Sequence, residues 1–169
     1  MPGLKQIKGF TFIELIVVIS LISIMLFLAI PRFQGNFLSD STKDVSRWIL
    51  LKIPYIKEKA AREQKRYILH VSFESNKLWI TDDAMSQDLL QSAEENGYQL
   101  PENIKLLDVE YPDQEKISVG EADIHFNEEG YSDKAIIHLE KDDNEQFSFL
   151  IEPFLSKVRL YNSYTEFAD

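Results

Sequence analysis

Hydrophobic and polar positions divide the chain into three regimes. From Phe10 to Ile30 the sequence is apolar over 21 residues, with a single ionisable group, Glu14. As a helix that stretch extends roughly 31 Å at ~1.5 Å per residue, the thickness of a bilayer's hydrocarbon core. Further on, Val45, Ile49, Ile53, Ile56 and Ala60 recur at spacings of four, four, three and four, with Trp48 beside them and Lys, Arg and Glu on the other faces. This period predicts an amphipathic helix whose apolar stripe packs on a core. Pro54 is expected to kink or break it, leaving helix to about Ile53 and a further turn or two to about Gln64. Period two then takes over. Tyr67, Leu69, Val71 and Phe73 alternate with Ile68, His70 and Ser72, and Glu74-Ser75-Asn76 reads as a turn into Leu78-Trp79-Ile80. A short helix is predicted over 82–97, opened by Asp82 or Asp83 and closed at Gly97. Strands are expected at 104–111, 122–126, 135–139, 147–151 and 157–161, with turns at Asn127–Gly130 and Asp142–Glu145. The last eight residues read as frayed. A long helix laid on an antiparallel sheet is an α+β architecture.

The 169 residues have room for one ordinary domain plus one extra element. A mean hydropathy of −0.22 averages two unlike pieces, because nearly all the extreme hydrophobicity lies before Pro31. Lys and Arg number 18 against 28 Asp and Glu, a formal charge of −10. Past Pro31 the balance is 16 against 27, and the tail from Tyr164 to Asp169 holds two acids and no base. Non-specific attraction to nucleic acid or anionic lipid is therefore not expected. The chain has no cysteine. That excludes a disulfide framework, a thiolate metal site and a cysteine nucleophile, and leaves the redox compartment open.

Residues 1–9 carry Lys5 and Lys8 and no acid. By the positive-inside bias they keep the N-terminus in the cytoplasm and place the C-terminal domain outside. A cleavable secretory signal peptide shares the basic start, but its apolar core is usually ~7–15 residues and ends at a small-residue site. A plain signal anchor fits the length equally well. The order of residues at the membrane edge separates these readings. Lys8-Gly9-Phe10-Thr11-Phe12-Ile13-Glu14-Leu15-Ile16-Val17-Val18 resembles the prepilin processing motif, and over residues 8–31 the chain is similar to type IV pilins and type II secretion pseudopilins. The resemblance implies that a prepilin peptidase cuts between Gly9 and Phe10 and methylates the new amine of Phe10. It also makes Glu14 the family's acid, five residues into the mature chain, and Pro31 the proline that interrupts the helix near the membrane exit. The chemistry fits. Gly9 lets the backbone enter a protease cleft in extended form. A carboxylate inside a membrane costs about 2.5–3.5 kcal/mol on insertion scales, so Glu14 reads as functional, an assembly residue. The competing reading is that Glu14 snorkels to the interface.

Leu100-Pro101-Glu102-Asn103-Ile104-Lys105-Leu106 resembles the leucine-proline segment before a strand in H-type minor pseudopilins, as does the strand end and glycine turn Phe126-Asn127-Glu128-Glu129-Gly130. Where that family often ends on a Gly-Arg-Val strand, this chain has Lys157-Val158-Arg159. The resemblance implies a leader at 1–9, a transmembrane and assembly helix at 10–31, an amphipathic continuation at 32–65 and a periplasmic β domain at 66–169. It further implies a minor pseudopilin of a type II secretion system rather than an enzyme. The expected localisation is the bacterial inner membrane, single pass, with other pseudopilins and the inner-membrane secretion platform as partners. A minor pilin of a type IV pilus is the alternative.

No cofactor or metal is expected. His70, His125 and His138 are the three histidines, and His125 and His138, without nearby acids at ligand spacing, make a poor zinc site. His125 and His138 read as outward-pointing residues of neighbouring, solvated strand faces. Glu140-Lys141-Asp142-Asp143-Asn144-Glu145 lacks the loop spacing of an EF-hand and reads as a hairpin. No Ser/His/Asp set and no phosphate-cradling glycine loop is visible.

Overall fold

The computed structural model describes residues 12–33, 40–142 and 144–167. The expected cleavage junction Gly9–Phe10 lies outside them. The chain forms two compact units, divided between Leu38 and Ser39.

The first unit holds helix α1, Phe12–Phe33, with Glu14 as the acid of its first turn. Helical backbone runs through Pro31, so that residue does not end the helix. Over the residues whose side chains are described, which in α1 end at Met25, no helix is long and apolar enough to cross a membrane. The apolar run of the sequence goes on to Ile30.

The second unit begins with helix α2, Asp40–Glu63, whose stripe Val45, Ile49, Ile53, Ile56 and Ala60 is completely buried. Pro54 sits inside α2 without breaking it. An interior proline costs about 3 kcal/mol. Burial of each Val or Ile is worth about 1.5–3 kcal/mol, and four of them hold the helix down on both sides of the proline. Burial wins.

The strands are β1 Tyr67–Ser72, β2 Lys77–Asp82, β3 Tyr98–Gln99, β4 Ile104–Glu110, β5 Glu121–Phe126, β6 Ala135–Lys141, β7 Glu145–Ile151 and β8 Arg159–Tyr161. They form two antiparallel sheets, ordered β3-β2-β1-β5 and β4-β6-β7-β8, where the sequence suggested one. The predicted helix over 82–97 shrinks to α3, Gln87–Glu95, because Asp82 still belongs to β2 and its carboxylate accepts from the Ala84 N–H in the turn that follows. The two-residue strand β3 was not foreseen; it is too short to carry a period.

One core lies between α2 and the inner faces of both sheets. In the first sheet Leu69 pairs with Ile80 and Ile124, all facing inward. A bulge in β4 shifts the register between Leu106 and Asp108. Ile104, Leu106 and Val109 therefore all reach the core, while Asp108 and Glu110 stand on the other face. Asn76, at φ 51°, ties the sheets together. Its amide donates to the Ile104 carbonyl at 2.6 Å and accepts from the Leu106 N–H at 3.0 Å.

Candidate assembly helix and the surfaces of the second unit

Of the residues singled out in the N-terminal segment, Gly9 and Phe10 lie outside the described residues, Glu14 is in the first turn of α1, and Pro31 lies two residues before its end. Large apolar side chains from Phe12 through Ile22 and Met25 are exposed on every face, Phe12 at 79%. Such a helix needs lipid or other helices around it. Its two described hydroxyls are compatible with either. Ser20 and Ser23 each donate back to the carbonyl four residues earlier, Ile16 and Ile19, at 2.8 Å. No hydroxyl proton is left to be satisfied by water.

The solvated-face reading holds for His125 and needs correction at His138, and each of the three histidines has a carboxylate beside it in the fold. His70 Nδ1 lies 2.7 Å from Asp123 Oδ1, and its Nε2 lies 2.8 Å from Thr81 Oγ1. Hydroxyl, imidazole and carboxylate thus line up across β2, β1 and β5, an arrangement invisible in the sequence. Thr81 is buried, so the line clamps three strands rather than presenting a hydroxyl to solvent. His125 contacts Asp133 at 2.9 Å on an exposed face. His138 is 0% exposed, and β5 and β6 belong to different sheets, so His125 and His138 are not on neighbouring strands.

His138 is buried because the C-terminal tail, expected to fray, lies over the outer face of the second sheet. His138 Nε2 donates to the Thr165 carbonyl at 3.0 Å, which only accepts, and Nδ1 meets Asp108 Oδ1 at 2.8 Å. Tyr164 stacks on the imidazole at 3.9 Å and donates its hydroxyl to Asp108 Oδ2 at 2.9 Å. Ser148 holds the tail backbone on both sides, donating to the Ser163 carbonyl and accepting from the Thr165 N–H. Lys116 joins Tyr164 and Glu166. Burial alone would push the Asp108 carboxyl up. The hydrogen bonds from His138 and Tyr164, with the charges of His138 and Lys116, hold it below the usual carboxylate range.

A second unforeseen device sits on α2. Lys57, read as part of the wet face, is buried and donates to three backbone carbonyls of the β7–β8 loop: Glu152 at 2.5 Å, Pro153 at 3.1 Å and Leu155 at 2.9 Å. Burial pushes its ammonium down, opposed by the charge of Glu152. Of the acidic run 140–145, Glu140 and Lys141 end β6 and Glu145 opens β7 in an antiparallel hairpin, with Lys141 paired to Glu145 at 3.1 Å; Asp143 lies outside the described residues. Among the described residues no group of three or more His, Asp or Glu is placed to hold a metal.

Residues 4–30 match the family model of the prokaryotic N-terminal methylation motif. No curated protein sequence matches the chain. Among solved structures, the fold matches the minor pseudopilin EpsH from the type 2 secretion system of Vibrio cholerae. In one structure the TM-score is 0.51 at 13% identity, covering 73% of this chain and 98% of that one. In a second, a crystal structure of the same pseudopilin, the TM-score is again 0.51 at 13% identity, covering 75% and 97%. The α+β architecture is therefore that of a pseudopilin, behind an N-terminal segment similar to the methylation motif.

Proposed function

We propose that the protein is a minor pseudopilin, a structural subunit of the periplasmic fibre of a type II secretion system, and not an enzyme. The observation that carries the reading is the conjunction: a match to the methylation motif over a helix apolar but for Glu14 through Ile30, followed by a unit whose fold is similar to that of a minor pseudopilin. A prepilin peptidase removes residues 1–9 at Gly9–Phe10 and methylates Phe10. Residues 10–31 then anchor the chain in the inner membrane as a single span, with 32–65 and the β domain of 66–169 in the periplasm. The inner-membrane secretion platform and other pseudopilins are its partners.

Glu14 is the residue on which assembly turns. Cleavage converts the Phe10 nitrogen into an ammonium at a helix start that is already positive. One turn on, Glu14 offers the opposite charge. The carboxylate of an incoming subunit meets the Phe10 amine of its neighbour, and methylation leaves that charge in place. Desolvation offsets much of the attraction, so the pair fixes axial register more than it adds stability. Pro31 provides a weak point in helical hydrogen bonding where the chain leaves the membrane.

The test is Glu14→Leu in the native host. It should insert more easily and still lose its leader, because the Gly9–Phe10 junction is untouched. It should fail to co-purify with partner pseudopilins, and secretion should fail with it. Wild-type assembly and secretion by Glu14→Leu would leave the carboxylate with no role beyond reaching the interface.

A further inference from the structure

Helix α3, Gln87–Glu95, is nine residues long and buries none of them. A helix that short does not hold itself in water, so it depends on what it packs against. Its C-terminal end is tied down. The Gly97 N–H donates to the Glu94 carbonyl at 3.1 Å, and Lys77 of β2 reaches the same carbonyl at 3.3 Å. Its start is not, because Ser86 at the N-cap makes no side-chain bond to the first turn. Leu89, Leu90 and Ala93 share one face at spacings of four and three. Ala93 is half-buried at the rim of an open groove of about 390 Å³ lined by Trp79, Ile80 and Tyr98. Leu89 is 57% exposed and Leu90 39%. The apolar face of α3 therefore runs from that groove out into solvent. The charges around it have one sign. Residues 78–104 hold six acids, Asp82, Asp83, Asp88, Glu94, Glu95 and Glu102, and no Lys, Arg or His. Asp83 pairs with Arg66 at 3.3 Å, but Asp88, Glu94 and Glu95, the three on α3, have no ion-pair partner among the described residues. Lys77 is spent on the Glu94 backbone, and Lys52, which also lines the groove, lies over the Tyr55 ring at 5.4 Å.

We propose that α3 is a docking helix for a different subunit of the fibre, one whose apolar cleft takes Leu89 and Leu90 and whose Lys and Arg side chains ring that cleft opposite Asp88, Glu94 and Glu95. This rests on the fibre-subunit reading and goes beyond it by naming the surface and the chemistry of what covers it. The leucines supply the anchor, in the way an amphipathic helix lays its apolar face into a groove. The acids choose the partner. A second copy of this chain brings 16 Lys and Arg against 27 Asp and Glu past Pro31, and like charge turns it away. A subunit with a basic rim is drawn in and held in one orientation. The occupant is thus another protein of the fibre, as a minor subunit requires. Docking also completes α3, which gains the tertiary packing that a helix of nine residues needs.

The chain has no cysteine, so a single introduced one can carry a photo-crosslinker. Full-length Leu89→Cys is labelled with a benzophenone maleimide in spheroplasts of its own host and irradiated, and the linked peptide is read by mass spectrometry. The expected product is a heterodimer with another fibre subunit, at least tenfold above the yield from Val119→Cys, a residue 76% exposed outside α3. Reversing Asp88, Glu94 and Glu95 together to Lys should cut that yield at least tenfold. Reversing to Glu the Lys and Arg beside the linked site should then restore it. Leu89→Ser with Leu90→Ser should abolish co-purification of the same subunit while leaving the protease resistance of the full-length chain unchanged, since both leucines are already in water. No heterodimer above the Val119→Cys yield, a product joining two copies, a yield indifferent to the charge reversal, or a protease-sensitive leucine variant would overturn the proposal. Leader removal is read in the same samples. A processed chain without the heterodimer sinks only this contact, whereas an unprocessed chain sinks the fibre reading whatever the crosslink does.

Discussion

Replacing Gly130 by alanine probes how the β domain is fixed to α2. Gly130 has φ +83°, and a Cβ built there falls 2.7 Å from the Lys57 carbonyl oxygen and 3.2 Å from Ala61 Cβ. Two penalties combine. Left-handed backbone costs an L side chain about 1–2 kcal/mol. Forcing a methyl into a filled contact costs about 1–3 kcal/mol, and here the obstacle is helix backbone, which cannot swing aside. Gly130→Ala should therefore destabilise by roughly 2–5 kcal/mol. Gly120 isolates the first penalty, since at φ +74° it has nothing within 4 Å of its built Cβ. Gly120→Ala should cost about 1–2 kcal/mol. Urea denaturation of a fragment beginning at Phe37 measures both, with an unchanged slope showing that only stability moved. Equal losses at the two glycines would refute the close approach of the 127–130 turn to α2. Two neutral substitutions would refute the backbone conformations themselves.

Lys57→Met keeps the length of the stem and removes the donor to three carbonyls. It should destabilise the same fragment by about 1–3 kcal/mol, with hydrogen exchange quickening over residues 152–156; exchange unchanged there would show that the loop holds itself. The Asp108 carboxyl is lower in the folded chain than in the unfolded one, so its contribution is present above the ordinary carboxylate pKa of about 3.9 and is lost as pH falls through the folded value. Asp108→Asn should therefore remove part of the acid destabilisation seen in pH-dependent urea midpoints, and an acid limb identical to wild type would contradict the coupling of Asp108 to His138 and Tyr164.

Burial that repeats along one element was legible from the sequence. The α2 stripe and the alternation of Ala122, Ile124 and Phe126 with Asp123 and His125 appear where they were expected, because a single wet face writes its period directly into the residues. What failed was long-range. His138 occupies an outward position of β6, and the alternation rule assumed water there. Tyr164 and Thr165 fill that space instead, and Tyr164 reaches Asp108 across 56 positions of sequence. The same holds for Lys57 and for Asn76, whose side chains serve backbone groups 95 to 98 and 28 to 30 residues away. Nothing local marks a lysine as a clamp. Pro54 failed differently: the helix-breaking penalty was real but smaller than the burial on either side. At the N-terminal end the motif of Lys8 to Val18 was the strongest signal in the chain, because its recognition depends on residue order and needs no tertiary partner.

The most direct test of the fibre-subunit account is the intact mass and N-terminal peptide of the protein taken from membranes of its own host. The account predicts a chain that has lost Met1–Gly9 and begins at Phe10 with a methylated amine. A chain still carrying Met1, or one beginning at an unmethylated residue other than Phe10, would contradict it.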